Sequence, residues 1–74
     1  VDINKKVFLL AIYKKEESET LNDIVLKLEE TGLFSLKDGK KFLKEFKKEE
    51  LVSDSYLTLK GQIQAQDVEK EFKI

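Results

Sequence analysis

A mainly α-helical domain closed by a small β-hairpin is the fold class this sequence predicts: a three-helix core, a short two-stranded hairpin and a C-terminal helix. Three observations lead there. Apolar residues recur at helical spacing behind the cap residues Asp2, Thr20, Ser35 and Thr58. The period changes between Leu51 and Thr58. The 74 residues leave room for a single domain, 1–74, with one modest core.

The first element is expected from Ile3 to Tyr13, with Asp2 as its N-cap. Ile3, Val7, Leu10 and Ala11 form one stripe, and Phe8, Leu9, Ile12 and Tyr13 cover much of the remaining circumference. A helix apolar nearly all round is buried on several sides, so this one should lie at the centre. Lys14 to Glu19 reads as a polar connection. Leu21, Ile24, Val25 and Leu28 then make an i, i+3, i+4, i+7 stripe. Thr20 and Asp23 offer a variant capping box, and Gly32 suits the left-handed residue that ends a helix.

The third helix is expected from Leu36 to about Glu49, capped by Ser35 with Asp38 three residues on. Leu36, Phe42, Leu43 and Phe46 make its buried side, and Gly39 allows another element to approach closely. Two helices joined by a short glycine-containing turn read as a helix-turn-helix. Leu51-Val52 and Tyr56-Leu57-Thr58 then flank Ser53-Asp54-Ser55 as two short strands around a tight turn. Thr58 caps a last helix from Leu59 to about Phe72.

Composition narrows the chemistry. Cysteine and histidine are both absent, which removes disulfides, thiolate metal sites and the commonest general base and zinc ligand. Serines and threonines have no evident activating partner and no glycine-rich loop cradles a phosphate, so no enzyme, cofactor or metal site is expected. Charged residues make up 39% of the chain, but the net charge is only −1, so any electrostatic function depends on how charge is distributed. All the positive charge is lysine, a point charge without the planar fork of arginine. The apolar run Val7–Tyr13 is too short to span a bilayer, and no small-residue cleavage pattern follows it. A cytoplasmic protein without a membrane partner is expected. The chain contains no methionine, consistent with a trimmed start or with a piece of something longer.

The segment Glu50-Leu51-Val52 followed by Tyr56-Leu57-Thr58-Leu59-Lys60-Gly61 resembles the wing of small bacterial winged helix-turn-helix proteins, such as the MarR and PadR regulators. In those families an apolar pair ends the recognition helix, and a Leu-Thr-x-x-Gly segment closes the wing, as Leu57, Thr58 and Gly61 would here. The resemblance implies a winged helix fold and a DNA-binding transcriptional regulator or phage-type accessory factor, commonly dimeric. The alternative is a winged helix protein-protein interaction module with no nucleic acid role. Two departures count against sequence readout: Asp54 stands in a very short wing, and the third helix carries no arginine, asparagine or glutamine.

At about 100° per residue, Lys37, Lys40, Lys41, Lys44, Lys47 and Lys48 fall within an arc of roughly 120°. As a functional face this arc would meet the phosphates of double-stranded DNA, with Ser35 and the helix N-terminus adding donors. As a plain feature it is a solvated helix face. A second choice concerns Gly61, Ala65, Val68 and Phe72, which share one face of the last helix. They either pack on the first helix or form a homodimer interface through Ala65, Val68 and Phe72, with Leu59 and Ile63 holding the helix to its own domain.

Overall fold

A computed structural model describes residues 3–53 and 56–72. Four helices follow one another: α1 (Ile3–Tyr13), α2 (Leu21–Glu30), α3 (Leu36–Lys48) and α4 (Leu59–Phe72). The principal contacts pair α1 with α4, α1 with α2, and α2 with α3. The proposed cap at Asp2 lies outside the described residues.

The central helix is α1, and its deepest stripe is Phe8, Leu9 and Ile12. Ile3 is 62% exposed, while Val7, Leu10 and Ala11 are half-buried. Phe8 joins the helices through its ring. Its centroid lies 5.2 Å from that of Phe34 and 5.6 Å from that of Phe46, and Phe34 in turn meets Phe42 edge-on at 5.7 Å. Such tilted and edge-on pairs bring negative ring faces to positive ring edges and strengthen the core beyond its buried area.

Local chemistry sets the helix ends. The Asp23 N–H donates to Thr20 Oγ1 (3.1 Å) and the Thr20 N–H donates to Asp23 Oδ2 (3.0 Å), a complete capping box for α2. Gly32 at φ 81° closes the same helix, with the Leu33 N–H reaching back to the Leu28 carbonyl. Ser35 Oγ accepts the Asp38 N–H to start α3. At the far end of α3, Glu50 adopts φ 63° and the Leu51 N–H donates to the Phe46 carbonyl (2.9 Å). The geometry matches that at Gly32, but here a residue with a side chain takes the left-handed position.

The expected hairpin is not formed. Among the described residues there is no β-strand. Val52 and Leu57 make one isolated antiparallel bridge, and the Ser53 N–H donates to the Tyr56 carbonyl (2.8 Å). Strands send successive side chains to opposite faces, yet Leu51 and Val52 are both buried. The segment serves as a buried connection from α3 to α4. Its Leu51 carbonyl accepts from the Thr58 N–H, and the Thr58 hydroxyl lies within bonding distance of the Glu50 and Leu51 carbonyls. Leu57, Thr58 and Gly61 therefore build a helix cap. The turn residues Asp54 and Ser55 lie outside the described residues.

The architecture is a four-helix bundle, and it overturns the winged helix-turn-helix expectation together with the resemblance to MarR and PadR regulators. The DNA-binding regulator drawn from that resemblance falls with the wing, and so does the alternative of a winged helix protein-interaction module.

Candidate functional site

The side of α3 facing the core carries Gly39 and Phe46, flanked by half-buried Phe42 and Leu43. Gly39 brings the helix close to its neighbours. A Cβ there would stand 2.8 Å from Phe34 Cε1 and 2.9 Å from Val25 Cγ1, too close for either to remain in place. Leu36, expected inside, is partly exposed at the edge of the helix.

This seating turns the lysine arc outward. Lys37, Lys40, Lys41, Lys44, Lys47 and Lys48 are all exposed, and among the described residues none of them is ion-paired. Most of the described lysines elsewhere are engaged, Lys15 and Lys70 excepted. Lys5 pairs with Glu49 (3.1 Å), Lys6 with Glu71 (2.8 Å), Lys14 with Glu69 (2.8 Å) and Lys27 with Glu19. Lys60 donates to the Glu49 carbonyl. Pairing raises the Lys14 ammonium above its ordinary range, through its bond to Glu69, and raises Lys27 similarly through Glu19.

The arc holds six of the fourteen lysines, so the other eight face fifteen carboxylates and the remainder of the molecule carries −7. Charge is thus segregated within a chain whose total is close to neutral. Lys37, Asp38, Lys40, Lys41 and Lys44 line a shallow depression, so one carboxylate adjoins the lysines there. Lys47 and Lys48 lie in the last turn, where the helix dipole favours cations.

Ser35 stands exposed at the N-terminal end of this face, where its hydroxyl oxygen accepts the Asp38 N–H, and Asp38 supplies a carboxylate to the first turn of the helix.

The last helix resolves its two faces in favour of packing within the chain. Ala65 (0% exposed) and Val68 (8%) are buried, Gly61 is buried with them, and Phe72 is partly exposed. Leu59 (73%) and Ile63 (54%), expected to hold the helix inward, point to solvent instead. The homodimer expectation is corrected accordingly, because its central residues are already covered by this chain's own core.

One feature escaped the sequence reading. Between α1, the end of α3 and α4 lies a cleft with an apolar floor of Leu9, Phe46, Leu51 and Val68, rimmed by Lys5 and Lys6. Both lysines are held by carboxylates from distant parts of the chain, and no local spacing signals that convergence. No cluster of three acidic, histidine or cysteine ligands is found among the described residues. No helix of the described residues is long and apolar enough to cross a membrane.

Comparison with protein-family models, with curated proteins and with solved structures returns no match.

Proposed function

We propose that the chain is a non-catalytic binding domain of the cytoplasm, acting as one unit, which holds anionic ligands by charge through the lysine face of α3. The observation that carries this reading is the contrast in pairing. Elsewhere among the described residues four lysines meet carboxylates, Lys60 meets a backbone carbonyl and only Lys15 and Lys70 are unengaged. All six on α3, gathered on one face, project into solvent without a carboxylate among the described residues. Leaving like charges side by side on a helix costs a few tenths of a kcal/mol per pair, and an anionic ligand offsets that cost.

Lysine alone selects for charge density and not for shape, since each ammonium is a mobile point charge on a flexible stem. The apolar run Val7–Tyr13 serves the fold itself, since its Phe8, Leu9 and Ile12 form the centre of the core.

The experiment is an amide-shift titration with inorganic polyphosphate at low salt. Shifts should concentrate on residues 37–48 and fade as salt rises, because binding releases condensed counterions. The double substitution Lys41→Ala/Lys44→Ala should weaken binding and flatten its salt dependence. Stability should stay within about 0.5 kcal/mol of the parent, as for exposed unpaired side chains generally. Polyphosphate that leaves the α3 amides unmoved at low salt ends this reading.

A further inference from the structure

From the shape and charge of the same face we infer that α3 docks the domain peripherally on a fluid bilayer surface rich in anionic phospholipids, its axis lying in the plane of the headgroups. The inference rests on the proposed anion-binding role and names its partner.

The shape of the arc favours a plane over a groove. With side chains, a helix has a radius of about 6 Å. Charges 60° either side of the midline therefore sit only about 3 Å behind the foremost ones. A lysine stem exceeds that set-back, so all six ammoniums reach one flat surface together. Along the axis, Lys37 to Lys48 extend over roughly 16 Å.

A groove would wrap further round the helix. On one side it would meet Asp38 and Glu45, which stand about 40–60° beyond Lys41. Those carboxylates border the face without belonging to it, and a plane touching only the foremost ridge leaves them behind.

Charge acts in the same direction. The rest of the molecule carries −7 and is repelled by an anionic surface, so a single orientation is attracted. No aromatic ring lies on the arc to stack on bases, and no arginine is available for bidentate contacts. Headgroups in a fluid layer rearrange to meet mobile ammoniums, which makes up for the absence of fixed geometry. Basic residues near such a surface each add favourable energy that salt screens. With no apolar side chain on the arc to insert, attachment is reversible and electrostatic.

Sedimentation with phosphatidylcholine vesicles, with and without phosphatidylserine, tests this directly. The full chain should bind only the phosphatidylserine vesicles and dissociate at high salt. Lys41→Ala/Lys44→Ala should lower the partition coefficient about thirty-fold, while Lys41→Arg/Lys44→Arg retains it. Equal binding to both vesicles would mean apolar adsorption, for instance through Leu59 and Ile63, and would overturn the inference. Indifference to the alanine pair would overturn it as well. Polyphosphate or duplex nucleic acid bound while phosphatidylserine vesicles are ignored at low salt removes the bilayer and leaves the anion-binding role standing. A chain that binds neither polyphosphate nor vesicles loses both.

Discussion

The Leu51 carbonyl oxygen occupies the space into which a side chain at Gly61 would project. This backbone-to-backbone approach, 10 residues apart in sequence, fixes the start of α4 against the end of α3. Thr58 completes the junction. Its hydroxyl oxygen accepts the Gly61 N–H (3.0 Å), and its own N–H donates to the same Leu51 carbonyl.

Gly61→Ala should therefore destabilise strongly, by about 3 kcal/mol, in the manner of an overpacked core position. The obstructing atom is backbone and cannot rotate away. In a chemical denaturation series the midpoint should fall sharply, while the neighbouring exposed Gln64→Ala should leave it nearly unchanged. Equal midpoints for the two variants would show that the connection has room to give.

The left-handed residue at the end of α3 predicts the opposite sign. Glu50 holds φ 63° with its side chain exposed, a conformation that costs an L-residue roughly 1 kcal/mol and glycine very little. Glu50→Gly should stabilise the domain by up to about 1 kcal/mol, reduced somewhat by the extra freedom of the unfolded chain. Gly32→Ala, which imposes the same conformation on a side chain at the end of α2, should destabilise by a similar amount. Thermal melts of both variants provide the measurement, and shifts of the same sign would contradict the shared geometry.

Glu19 supplies a pH dependence. The bond from Lys27 holds its carboxyl below the ordinary carboxylate range, and a bond from the Glu16 N–H (2.9 Å) lowers it further. A group depressed on folding contributes stability that is fully present above its unfolded pKa and is lost as pH falls through its folded pKa. The loss thus falls in the acid range, below the ordinary glutamate value of about 4.3. Glu19→Gln should lower stability at neutral pH and flatten its fall at acid pH, when denaturation midpoints are compared across that range. Parallel pH profiles for the two proteins would show that the pair does not contribute.

The four helices were legible because their signals are local. Thr20 with Asp23, Ser35 with Asp38, Gly32 and Thr58 each act within a few residues, and each acts as expected. The lysine arc was legible for the same reason, since its purity follows from spacing along one helix. The connection was not. Leu51, Val52, Tyr56 and Leu57 are good strand residues, but burial of Leu51 and Val52 side by side answers to tertiary packing that no local pattern encodes. The orientation of α4 was hidden differently. It has two apolar sides, and only the close approach at Gly61 decides that Ala65 and Val68 turn inward while Leu59 and Ile63 do not. Glu50 gave no sign at all, because glutamate is not a residue that announces a left-handed turn.

The pairing of α1 with α4, clasped by Lys6–Glu71 and Lys14–Glu69, has a consequence during synthesis. Of these four helices α1 is made first and is the most apolar, and α2 can cover only part of it. Its remaining surface waits for α4. Folding of the bundle is thus completed late, by closure of the longest loop among its helices. Until translation has passed α4, the nascent domain exposes the apolar surface of α1, and a truncated product lacking that helix is a natural substrate for chaperones and proteases.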